Sequence, residues 1–324
     1  MNMKTAILSL IAVVGMGAVA VLNFPKIRFT VHVVGEDGKP ISGANATFLF
    51  NQDSSNLDKT TQVAGITDGN GNLTAEGYSP FGAIAGQPFA KDGYYGSGVS
   101  IPHFVKTDNL GHWLPWDATY TTVLRKIGNP IPMYAKNVNI DIPAVGQPCG
   151  YDLVIGDWVG PYGKGRTADF VMTLQRQWQD GYHFSVSVVI SFSNSSDGIQ
   201  LTDLPKEFAN SQFKWPRVAP EAGYQSSLSL NSSEDQKGYE VNFQNNVSDD
   251  QNYFFRVRST EQNGHVSSAL YGKIAGGMKL MPGASKTCKV RLNYYLNPSV
   301  NDRNMEYGST LFKNLDFEET PRAP

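Results

Sequence analysis

Between Tyr182 and Phe192 every second residue is apolar: Tyr182, Phe184, Val186, Val188, Ile190 and Phe192 alternate with mostly polar neighbours. Only a strand sends successive side chains to opposite faces, so this spacing defines one long strand with one buried face. The same period returns at Tyr239, Val241 and Phe243, at Tyr253, Phe255 and Val257, and at Val290, Leu292, Tyr294 and Leu296. Residues 27–33 near the N-terminus alternate likewise. Sheets with one clean apolar face are mostly antiparallel. The 32 Gly and 18 Pro residues cut the chain into short segments joined by tight turns, and long Leu/Ala/Glu/Lys runs are missing. One short helix is expected within 201–210. At 324 residues two domains are the natural expectation. The predicted fold class is therefore all-β, with two β-sandwich domains.

The first half is rich in turn signals. Gly35-Glu36-Asp37-Gly38-Lys39-Pro40 reads as a tight turn, and Asp68-Gly69-Asn70-Gly71 as a hairpin whose residues tolerate positive φ. Ala90-Lys91-Asp92-Gly93-Tyr94-Tyr95 adds a strand–turn–strand step. Three segments carry a resemblance: Val33-x-Gly35-Glu36-Asp37-Gly38-Lys39-Pro40-Ile41-Ser42-Gly43-Ala44, then Thr67-Asp68-Gly69-Asn70-Gly71-Asn72-Leu73, then Lys91-Asp92-Gly93-Tyr94. Together they resemble the signposts of carboxypeptidase regulatory-like domains, small sandwiches similar to transthyretin, over residues 26–127. The resemblance implies an accessory or binding module without catalytic residues. A long insert at 102–118, with His103, His112, Trp113 and Trp116, departs from the family pattern.

Pro130, Pro132 and Pro143 bracket a stretch read as a linker, which places the boundary near Lys136. The expected layout is a first sandwich over 26–136, a second sandwich or jelly roll over 137–317, and a tail over 318–324. The second half also resembles uncharacterised exported bacterial proteins around Ala269-Leu270-Tyr271-Gly272-Lys273-Ile274 and Leu296-Asn297-Pro298, a likeness that brings no function.

At the N-terminus, Lys4 precedes an apolar stretch over 6–22 that ends in small residues. Ala18-Val19-Ala20 fits the pattern read by signal peptidases, so residues 1–22 are expected to be a signal peptide cleaved after Ala20 or, failing that, a membrane anchor. Either places the remainder outside the cytoplasm: periplasmic, secreted or anchored on the outer side. Net charge is −2 with both signs dispersed, so there is no basic stripe for nucleic acid. The only expected contact with a membrane is through the N-terminal segment.

Two cysteines occur, Cys149 and Cys288. Export and the even count favour a disulfide between them, the alternative being two separate buried thiols. Cys288 is in phase with Val290, Leu292, Tyr294 and Leu296, and Cys149 stands near the start of the same domain, where the first and last strands of a sandwich can be neighbours and bring the two together.

Candidates for chemistry are few. His103 and His112 share the insert with Asp108 and Asp117 without any recognised ligand spacing, and no nucleophile elbow, zinc-protease or phosphate-loop motif is present. Asp68-x-Asn70-x-Asn72 has the oxygen spacing of a calcium loop, but Ser79 stands where a bidentate Glu belongs, so a plain hairpin turn is expected. No catalytic residue, cofactor or metal is predicted. Binding is the expected role, and aromatic residues beside Gly and Pro are its candidates: Trp158, Tyr162 and Arg166 in one segment, Trp113 and Trp116 in the insert. The alternative for these rings is that they cap the cores. The expected function is a non-enzymatic exported binding or structural module whose partner is a protein or cell-surface component. Glycan binding by the second sandwich, or less favourably a hydrolase at the domain junction, are the alternatives.

Overall fold

A computed structural model describes residues 25–51, 60–284 and 286–321. The expected signal peptide or anchor lies outside the described residues. The chain divides into two compact units between Lys126 and Ile127. Among the described residues no helix is long and apolar enough to cross a membrane.

Among the described residues the first unit contains β1 (Lys26–Gly35), β2 (Asn45–Asn51), β3 (Thr60–Ile66), β4 (Asn72–Tyr78), β5 (Ile84–Gly86), β6 (Tyr94–Tyr95), β7 (Lys106–Thr107), β8 (Trp113–Leu114) and β9 (Ala118–Lys126). One sheet runs β4-β1-β9-β6, with β1 and β9 parallel, and a second runs β3-β2-β5. Alternation in β1 turns Ile27, Phe29, Val31 and Val33 inward, and all four are fully buried. They meet Ala46, Phe48 and Phe50 of β2, with the Phe29 and Phe48 rings edge to face at 4.9 Å. Such pairs add about 0.5–1.5 kcal/mol to the area they bury. The unit is a small sandwich, as expected.

The signpost residues are its joinery. Thr67 Oγ1 donates to the Ile41 carbonyl at 2.7 Å and accepts the Ala44 amide at 2.9 Å, tying two turns together. Asp68 Oδ1 accepts the amides of Asn70 and Asn72, the plain hairpin turn read from sequence. Gly71 follows at φ +75°, where a Cβ would stand 2.5 Å from the Val33 carbonyl oxygen, so only glycine fits. Lys91 Nζ reaches the Ser42 carbonyl from the third signpost.

The second unit contains β10 (Ile131–Asp141), β11 (Pro148–Asp152), β12 (Asp157–Trp158), β13 (Phe170–Asp180), β14 (His183–Ser191), β15 (Gly198–Thr202) and β16 (Ser227–Lys237). It continues with β17 (Glu240–Asn245), β18 (Asn252–Gln262), β19 (His265–Ile274), β20 (Lys279–Met281), β21 (Lys289–Leu296) and β22 (Tyr307–Thr310). One sheet has the order β12-β11-β13-β14-β16-β17, and the other β15-β18-β19-β21-β10-β22 with β20 on β21. Val186, Val188 and Ile190 share one buried core with Val257, Val290, Leu292 and Tyr294. The result is a sandwich of two large sheets, and the helix expected within 201–210 is a single 3₁₀ turn, Lys206–Phe208.

Three expectations are corrected here. The boundary near Lys136 would cut β10, which pairs with β21 from Tyr134 to Asp141. Pro132 marks no linker: it sits at a register shift beside β22, a place where a strand tolerates proline. Residues 318–320 are no loose tail, since Asn137 Nδ2 donates to the carbonyls of Glu318 and Thr320, and Lys136 pairs with Glu319 at 2.8 Å. Finally, Cys149 and Cys288 are both free and buried. The strands paired with β21 are β10, β19 and β20, while Cys149 lies on β11 in the other sheet. Burial pushes the Cys288 thiol up to about 11, and each sulfur faces a nearby backbone carbonyl.

Candidate functional site

The segment from β12 up to β13 carries three of the sequence-predicted binding residues, Trp158 on β12 and Tyr162 and Arg166 after it, and a buried ion network fixes it. Arg258 occupies the bulge of β18 at φ +55°. Its guanidinium donates to Asp169 Oδ1 and Oδ2, both at 2.8 Å, and to Asp152 Oδ1 at 2.9 Å. Asp152 also accepts the amides of Val154, Ile155, Arg166 and Thr167, and Asp169 that of Leu153. Burial raises the Asp152 carboxyl, but the backbone amides led by Arg166 and Thr167 outweigh it and hold the group below its ordinary range. Asp169 has fewer donors, and burial raises it despite Arg258. Asp197 accepts the amides of Arg258 and Ser259 and so pins the bulge itself. Two buried carboxylates with an arginine fork between them are committed to folding this loop.

Inside the loop, Trp158 is 6% exposed and packs edge to face on Tyr151 at 5.2 Å. It is a core ring, which matches the capping reading and not the binding one, because the chain turns inward at β12. Tyr162 and Arg166 do stand at the surface. In the first unit, Trp113 is half-buried against the core and donates its Nε1–H to the Ser79 carbonyl at 2.6 Å. Trp116 is half-buried and stacks on His112 at 3.9 Å. His112 pairs with Asp108 at 3.0 Å, while Asp117 binds Arg28, so the insert's acidic residues are drawn apart. The aromatic residues thus divide between core, cap and surface and do not converge on one site.

Convergence occurs elsewhere, on the outer face of the sheet holding β10 and β21. Register places Asn137 opposite Asn293, and Asn139 opposite Arg291. The inward neighbours Val138, Val290, Leu292 and Tyr294 are buried, which forces these polar residues outward. They line a groove of about 810 Å³ whose floor includes Tyr295 and whose rim is Phe317, 89% exposed. A shallower depression of about 240 Å³ shares Ala275, Arg291 and Asn293 and extends the groove towards the Lys279–Asp249 ion pair. Among the described residues no hydrogen bond or ion pair engages the side chains of Asn139, Arg291 or Asn293. Asn137 Oδ1 is buried without a partner. Two free amides present donors and acceptors side by side, Arg291 adds a fork of donors, and Phe317 adds an exposed apolar face. In sequence these positions look like the solvent side of amphipathic strands, and only the register shows that they gather.

No family model and no curated protein matches the chain. Among solved structures, it is similar to the shaft pilin SpaA of Lactobacillus rhamnosus GG, at 12% identity over 53% of this chain and 89% of that one, with a TM-score of 0.21. It is also similar to BcpA, the major pilin subunit of Bacillus cereus, at 13% identity over 82% of this chain and 95% of that one, with a TM-score of 0.20. No role is carried over from either.

Proposed function

We propose that the chain is an exported, non-catalytic binding module whose second sandwich holds a polyhydroxylated ligand, a cell-surface glycan, in the groove over Asn139, Arg291 and Asn293. The observation that carries this reading is the alignment of three polar side chains without protein partners beside an exposed aromatic ring. Sugar hydroxyls both donate and accept, which matches amide side chains, and an aromatic face packs on the apolar side of a pyranose. The smaller depression that shares Ala275, Arg291 and Asn293 extends the groove, which gives room for more than one sugar. Export rests on the N-terminal sequence, and the first unit, read as a carboxypeptidase regulatory-like sandwich, serves as an accessory module.

A glycan array followed by calorimetry on the best ligand tests the proposal. Arg291→Ala and Asn293→Ala are each expected to weaken binding about tenfold or more, the scale of one or two lost hydrogen bonds, with unchanged melting. Absence of any glycan ligand, or binding indifferent to both substitutions, overturns it. Turnover of the bound glycoside would replace it with the hydrolase reading.

A further inference from the structure

Strand β17 ends the six-stranded sheet and, among the described residues, is bonded on one side only, to β16. All six of its residues are exposed. Val241 and Phe243 are each 55% exposed, and Tyr239 in the preceding turn is fully so. Register shows which face they occupy: Phe243 lies opposite Glu234 and Val241 opposite Gln236, in phase with buried Ser232 and Leu230. The stripe therefore continues the core face of the sheet beyond the part covered by the opposite sheet. Free edges are usually blunted by lysine, proline or a bulge. Here β17 has none of these, its pairing with β16 is unbroken, and its one charge is Glu240.

We infer that β17 is an assembly edge that pairs antiparallel with β17 of a second copy of this chain, about a two-fold axis at Val241. The argument for a second copy is self-complementarity. In that register Val241 faces its own equivalent and Glu240 faces Asn242, with Tyr239 of the adjoining turn beside Phe243, so the apolar residues meet and no like charges do. Backbone groups supply the ladder, and the joined stripes remove three large apolar side chains per copy from water. This surface is independent of the glycan groove, which lies on the other sheet.

Sedimentation equilibrium of the full chain tests the inference. The wild type is expected to be a dimer, and Val241→Lys should weaken association at least about 30-fold, as for a central hot-spot residue, with an unchanged circular dichroism spectrum. In parallel, Val241→Cys should give an intermolecular disulfide under mild oxidation, while Leu201→Cys, exposed on the edge strand β15, should not. A wild type monomeric at every concentration overturns the inference. So does a dimer that Val241→Lys leaves intact, since that dimer would use another surface.

Discussion

Removing the Arg258 guanidinium strands two carboxylates with almost no access to water, Asp152 and Asp169, whose side chains are 2% and 1% exposed. Arg258→Ala is therefore expected to destabilise the second unit by about 3–5 kcal/mol, the cost of breaking a buried pair from one side. Arg258→Lys, which keeps the charge but loses the fork, should recover part of it, as chemical denaturation would show. Lys273 poses the opposite case. It is fully buried, with its Nζ 2.8 Å from the Met305 carbonyl and about 5 Å from the rings of Phe213, Trp215 and Tyr295. Burial drives its pKa well below 10.5, only partly countered by Glu306. Between that lowered value and 10.5 the unfolded chain binds the extra proton, so this lysine makes stability rise with pH across the window. Lys273→Met removes the effect. The melting temperature of the variant relative to wild type should be highest near neutrality and fall towards pH 10, and a constant difference would contradict the assignment. Neither Arg258 nor Lys273 could be singled out in the sequence, because each depends on partners brought from distant strands.

Element by element, a strand's period of two states which residues share a face but not what covers that face. For β1 and β21 the alternation identified the core correctly, because an opposing sheet covers their apolar side: Phe29 meets Phe48, and Leu292 joins the core shared with β14. Tyr239, Val241 and Phe243 have the same pattern yet stand exposed, since β17 lies beyond the opposing sheet. Strand β18 departs in the other direction: Tyr253, Phe254 and Phe255 are all buried, because Trp215 from a loop packs on Phe254 at 5.2 Å and covers the second face. Coverage is a tertiary property, and so is the groove, whose polar residues acquire meaning only when β10 and β21 are in register. The loop residues fared similarly. Trp158 and Tyr162 stand four positions apart in one Gly-rich segment, and the two-residue strand β12 turns the first into the core and leaves the second outside.

At the scale of the whole molecule, the position of the division between units decides which fragments fold. A fragment beginning at Ile127 retains all of β10, with Met133 and Ala135 buried against Tyr295. One beginning at Asn137 loses both of those residues, the β10–β22 pairing, and the ladder from Tyr134 to Lys136 against β21. It also loses the Lys136–Glu319 ion pair that helps seat the C-terminal segment over the groove. An interior strand cut at its middle exposes unpaired backbone on the neighbouring strand and opens the core from one side. The fragment from Ile127 is therefore expected to melt in one cooperative transition with β-type circular dichroism. The fragment from Asn137 should melt at least several degrees lower or fail to fold, since a loss of only 1 kcal/mol shifts a domain of this size by about 2–4 °C. Calorimetry of the two fragments side by side measures the difference. Equal melting would mean that residues 127–136 are dispensable and that the boundary near Lys136, read from prolines alone, marks the true edge of the second unit.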